Sequence, residues 1–250
     1  MQRPVNNLSR IEYIRSKLKK KRGLTMNKML CLFVMILGIS FAQSSASKLQ
    51  FGLIGGLNLS SADIEIVEEG ADVSNTTVFG IGGVIDWNLN QTFSLRLEPM
   101  YLQKGIGKSE LDVQPGVEWT LESSYLELPV FFKAEFGSTI RPYIMAGPSF
   151  GLLLTSDVRA ELSGLTFKGD SKSATENFDV SVAFGGGINY PMDKFSIFLE
   201  GRYSYGLTNN IKGGTVEISS GNVTQEIEWD KETDMIKNRG FQIMVGVTFP

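Results

Sequence analysis

The 250-residue chain has no histidine, one cysteine and eight prolines. Each shortage excludes something. Without histidine, the usual general base beside a serine or cysteine nucleophile is missing, so no catalytic residues are expected. Zinc sites built from His and Cys are excluded too, and no metal or cofactor is expected. The one cysteine, Cys31, lies in an apolar N-terminal stretch, so a chain processed beyond it has no disulfide. No apolar run reaches the roughly 20 residues that a membrane-spanning helix needs. Cations thin out after residue 42. Nine of the 24 Lys and Arg but only one of the 27 Asp and Glu precede that point, leaving 15 basic and 26 acidic residues beyond it. A chain that acidic is a poor nucleic-acid binder, and no nucleic-acid partner is expected.

Met26-Asn27-Lys28 opens a segment whose remainder, residues 29–42, reads MLCLFVMILGISFA. A short cationic start, a short apolar core and then small residues mark residues 26–42 as a signal peptide. Cleavage is expected after Ala42, making Gln43 the mature start, with Ala46 as a second option. No lipobox precedes Cys31, so a lipid anchor is not expected. Residues 1–25 include KLKKKR at 17–22 and read as a basic extension or as a start codon assigned too early.

Beyond Lys48 the pattern has period two, the mark of a strand with one apolar face. Eight such segments are predicted, at about 49–60, 77–87, 92–103, 121–136, 140–154, 178–190, 195–207 and 239–249. The seventh shows it most cleanly: Phe195, Ile197, Leu199, Tyr203 and Tyr205 alternate with Ser196, Glu200, Arg202 and Ser204. Connections alternate between short turns (88–91, 137–139, 191–194) and long polar stretches (61–76, 104–120, 155–177, 208–238), which are predicted to be loops. The expected fold is all-β: an eight-stranded antiparallel transmembrane up-and-down β-barrel over residues 49–249, in the outer membrane, with long extracellular loops and short periplasmic turns.

Alternation alone also fits a soluble ligand carrier, whose apolar face would point inward. Three features favour the membrane. Each strand offers several large apolar side chains, too many for an eight-stranded interior. The opposite face is mostly Gly, Ser, Ala, Asn and Thr, which suits a tight lumen. Trp87, Phe93, Phe136, Tyr190, Phe195 and Phe249 gather near the short turns, while Tyr101, Tyr203, Tyr205 and Phe241 sit near the long connections, as two aromatic girdles would. Outer-membrane lipid is then a partner of the wall. Arg96, Glu98, Glu127, Lys133, Glu200 and Arg202 fall on the inner face and are expected to form a structural lumen charge network that fixes register, rather than an ion pathway. The glycine clusters 55–56, 82–83 and 185–187 match no phosphate-binding pattern and read as relief of crowding in a small barrel.

Tyr125-Leu126-Glu127-Leu128-Pro129, Pro142-Tyr143 with Gly147-Pro148-Ser149, and Arg202-Tyr203-Ser204-Tyr205-Gly206-Leu207-Thr208 resemble the PorT-like outer-membrane β-barrel family of Bacteroidetes, as does the opening Phe51-Gly52 to Gly56-Leu57-Asn58. The resemblance spans roughly residues 49–249. It implies an eight-stranded outer-membrane barrel and, from the founding member, a link to protein secretion; it carries no catalytic or binding residues. A terminal aromatic is usual in such barrels, whereas here Phe249 precedes Pro250. The leading expectation is therefore a non-enzymatic barrel that binds a protein partner or ligand through its extracellular loops, two of them acidic (Asp63, Glu65, Glu68, Glu69 and Asp72; residues 226–234). The alternative is a component of a secretion or envelope complex. A small solute pore is less favoured.

Overall fold

The computed structural model describes residues 49–65, 71–72, 74–111, 117–162, 165–220, 223–229 and 235–250. The signal-peptide segment, residues 1–25 and the acids Glu68 and Glu69 lie outside them. The described chain is a single antiparallel sheet of 13 strands. In order they are β1 (Leu49–Glu65), β2 (Ala71–Asp72), β3 (Thr76–Asn88), β4 (Phe93–Leu97), β5 (Met100–Leu111), β6 (Val117–Glu135), β7 (Arg141–Leu162), β8 (Leu165–Asp170), β9 (Phe178–Pro191), β10 (Ser196–Gly206), β11 (Gly214–Ser220), β12 (Val223–Trp229) and β13 (Met235–Phe249). One 3-10 turn spans Lys172–Ala174.

Eight staves close a ring, with β4 and β5 sharing one of them and β13 returning to β1. The register can be walked around it. Leu49 lies opposite Trp87, then Leu95, Phe132, Ala146, Phe184, Tyr203, Phe241 and finally Leu59, back on β1 but ten residues further along. With about 3.3 Å per residue and about 4.8 Å between strands, that stagger tilts the strands by about 40° and leaves room inside only for side chains.

Every residue on this walk faces outward, and the period-two pattern explains why. Leu53, Ile81, Ile144, Phe184, Leu199 and Val245 are exposed on the wall, while their chain neighbours point into the ring. The apolar face therefore lines no ligand cavity. Aromatic pairs brace the wall, with ring centroids 6.4 Å apart for Phe195–Phe249 near the short turns and 5.7 Å for Phe79–Tyr101 towards the other end. The turns are tight. Asn90 Oδ1 accepts from the amides of Thr92 and Phe93, and Gly137 adopts φ +91, a region that disfavours any side chain.

The structure corrects three expectations. The third predicted strand is interrupted at Glu98-Pro99. Pro99 has no amide to donate, yet the partners of β4 and β5 stay in one register, Leu97 with Val130 and Met100 with Glu127. Secondly, the inner face expected to be mostly small residues also carries large apolar ones: Met100, Leu102, Phe131, Tyr143, Phe198 and Met244 are buried there as one apolar cluster. Inward glycines make space for them. A Cβ on Gly246 would collide with the Phe198 ring and the Leu53 carbonyl.

Thirdly, the long connections are largely folded. β1, β5, β6 and β7 run past their predicted ends. Residues 155–177 continue β7 and return as β8, and residues 208–238 contain the β11–β12 hairpin. A bulge between Ser124 and Tyr125 of β6, opposite Leu153 and Thr155 of β7, lies where the outward face changes from Leu126, Leu152 and Leu154 to Ser124, Thr155 and Asp157. Beyond it the inward face stays apolar. Val158, Ala160, Phe167, Ala174, Val216 and Ile218 pack together with Trp119 and Leu121, and Leu121 also meets Ala62, Ile106, Ile211 and Ile236. This second core holds the hairpins as a crown above the ring.

Candidate functional site: the lumen network and the hairpin crown

Strand alternation carries the charged side chains inward, and the apolar cluster removes their water. Such groups persist only if paired and hydrogen-bonded. Arg96 on β4 meets Asp86 on β3 through two parallel hydrogen bonds, Nε to Oδ1 at 2.8 Å and Nη2 to Oδ2 at 2.7 Å. Its Nη1 reaches across to Glu200 on β10 at 3.1 Å and lies 3.6 Å from Glu98. Arg202 on β10 pairs with Glu98 and with Glu200, the latter at 3.2 Å, and donates to Gln242 on β13. Tyr143 donates to Glu200 at 2.7 Å. Aromatic faces complete the cage: the Arg96 guanidinium lies 4.6 Å from the Phe198 ring centre and that of Arg202 lies 5.3 Å from the Phe131 ring centre.

A second cluster sits nearer the crown. Lys104 on β5 bridges Glu127 on β6 at 2.6 Å and Asp179 on β9 at 3.0 Å. Ser149 donates to Glu127, and Thr208 and Asn238 donate to Asp179. Towards the short turns, Lys133 pairs with Glu135 at 2.6 Å, and Glu135 also meets the half-exposed Arg141 at 3.4 Å.

The structure thus buries all six sequence-singled charges, Arg96, Glu98, Glu127, Lys133, Glu200 and Arg202, inside the ring. It joins four of them directly, pairs Glu127 with Lys104, and sets Lys133 beside Glu135. Sequence reasoning missed Asp86 and Asp179, which lie one residue inside the ends of predicted strands, and Lys104, which begins a stretch predicted as loop; their strand parity was the available signal. The motif residues Tyr125, Glu127, Ser149 and Arg202 all point into this lumen. Every carboxylate described in it faces a cation, and of these only Glu135, at the short-turn end, is partly exposed. Among the described residues, no group of three or more Asp, Glu or Cys side chains is placed to hold a metal ion.

Above the lumen, the connections cross the mouth. Thr175 bridges Ile211, Lys212 N donates to Ala174 O at 2.8 Å, and Glu176 N donates to Asn210 O at 2.8 Å. Ser171, Ala174, Thr175 and Ile211 are buried.

The model of one protein family, the outer membrane protein beta-barrel domain, matches residues 41–212. The chain belongs to that family. Membership places the exposed apolar wall in outer-membrane lipid. Among solved structures, the barrel is similar in fold to Neisserial surface protein A (13% identity, 82% of this chain and 99% of that one, TM-score 0.39). It is similar to OprG from Pseudomonas aeruginosa (11% identity, 80% and 95%, TM-score 0.46). It is also similar to the outer membrane protease OmpT from Escherichia coli (12% identity, 80% and 96%, TM-score 0.37). These likenesses concern fold and assign no activity. No curated protein sequence matches the chain.

Proposed function

We propose that this outer-membrane barrel is non-enzymatic, that its lumen is a solid structural core, and that it docks a partner through the extracellular crown. The observation that carries the reading is the second apolar core. A connection that only links staves needs no core of its own, whereas Phe167, Val216 and Ile218 hold two hairpins in fixed shape. A preorganised surface loses less entropy on binding than a loop that must first be ordered.

The lumen supports the rest of the reading. Its charges are paired with one another and wedged between Phe131, Phe198, Met100 and Met244, which argues against a water-filled path for solute. In this role Arg96, Glu98, Glu127, Lys133, Glu200 and Arg202 lock register by tying β3, β4, β5, β6, β9 and β10 across the ring. The absence of histidine argues against a hydrolase built on the common base. Export is assigned to residues 26–42. The motifs around Tyr125–Pro129 and Arg202–Thr208 support a place in the PorT-like branch, and with it a partner within a secretion or envelope complex.

A photo-cross-linking amino acid placed at Ser219 on the crown, compared with one at Leu199 on the wall, tests docking in intact cells. A discrete protein adduct from Ser219 alone is expected. Adducts from neither site, in cells that display the barrel, would remove the docking reading.

A further inference from the structure

Above the membrane the sheet no longer closes. It runs from β6 through β7, β8 and β11 to β12, and among the described residues β12 pairs with β11 alone. Its other edge is seven residues long, contains no proline, and belongs to a hairpin held down by Val216 and Ile218. In an antiparallel ladder alternate residues bond to one neighbour, so the intervening amides and carbonyls of β12 point away from β11. Such an edge is a template for another strand.

Charge selects the occupant. On the outer face of the hairpin, Glu217 lies directly opposite Glu226, and both are exposed. Like charges directly opposite destabilise a pair, and a cation laid beside Glu226 would relieve this. Glu228 is two positions along the same strand, so the edge repeats acid with the period of a strand. A second copy of β12 added antiparallel would set acid against acid, which disfavours self-association.

We propose that β12 is the docking edge for an extended polypeptide segment with basic side chains at alternate positions, added as a further antiparallel strand. This rests on the docking reading above and names its chemistry. The added strand gains main-chain hydrogen bonds along β12, and its basic side chains on one face meet Glu226 and the position of Glu228.

The test uses the full-length barrel in lipid nanodiscs and a labelled seven-residue peptide alternating lysine with valine. A control peptide of equal charge carries proline at its centre. Binding by fluorescence anisotropy is expected to weaken several-fold for the proline peptide, since proline donates no ladder bond and its ring crowds the strand beside it. It should also weaken for the barrel with Glu217→Gln and Glu226→Gln together. Residue-resolved hydrogen exchange should show bound peptide slowing alternate amides of β12, a signature that loose charge attraction does not leave. Equal binding of the two peptides, or no alternate protection, overturns the proposal. If β12 stays unprotected while the Ser219 cross-linker still captures a partner, the edge mode falls and docking by another crown surface stands.

Discussion

Replacing Arg202 with methionine should be among the most damaging single changes in the barrel. Its guanidinium pairs with Glu98 and with Glu200 at 3.2 Å, and it also donates to Gln242. Glu200 keeps Arg96 at 3.1 Å and Tyr143 at 2.7 Å when Arg202 is lost. Glu98 keeps only Arg96, at 3.6 Å, in a site with 0% exposure. Leaving one buried carboxylate so poorly compensated costs about 3–5 kcal/mol, or about two to four orders of magnitude in the folding equilibrium. Neutralising it as well, with Glu98→Gln in the same chain, should recover more than half of that loss. Arg141→Ala removes the 3.4 Å pair to Glu135 from a side chain that is 42% exposed, and should cost below about 1 kcal/mol. Urea unfolding in lipid vesicles, followed by tryptophan fluorescence, gives all three values. An Arg202→Met loss no larger than that of Arg141→Ala, or a double variant no more stable than the single one, would refute the reasoning.

Leu199, 56% exposed in the middle of the wall, should cost about 2–4 kcal/mol when changed to arginine, whereas Thr215→Arg on the crown should change stability by less than about 0.5 kcal/mol in the same assay. Gly246→Ala places a methyl against the Phe198 ring and the Leu53 carbonyl, and a loss of about 1–3 kcal/mol is expected by the same titration. The intact barrel in a planar bilayer should show no steady single-channel current; a large stable conductance would contradict a filled lumen. On a gel, the membrane-extracted protein should migrate differently with and without boiling, as a closed ring resists unfolding in detergent.

The ring was legible because a bilayer imposes the strictest period-two pattern that a strand can carry. Phe195, Ile197, Leu199 and Tyr203 must face lipid, so Glu200 and Arg202 must face inward. The crown obeys a weaker rule. Val216 and Ile218 alternate with Thr215, Glu217 and Ser219, but two apolar residues flanked by Gly and Ser look like loop when the core that covers them comes from β7 and β8. Asp86, Lys104 and Asp179 were lost for a related reason. Lys104 opens a predicted loop, and Asp86 and Asp179 stand next to the terminal residue of their predicted strands, where a charge reads as the end of a run unless its partner across the ring is known. Lys104 and Asp179 are 75 residues apart, a separation that no local pattern encodes.

The seam of the ring has a consequence for biogenesis. β1 and β13 pair from Phe51 with Phe249 to Glu65 with Met235, so one of the longest ladders in the barrel joins its first and last strands. A ribosome that has finished β1 through β10 has made no partner for the free edge of β1. Buried Arg202 likewise lacks Gln242 until β13 emerges. The chain must then cross the inner membrane and the periplasm as an unclosed, lipid-seeking polymer, with its acids and cations still hydrated and unmatched. Closure becomes a single late event, and whatever escorts this chain must hold all of it, up to the last strand, before any part can be released into the outer membrane.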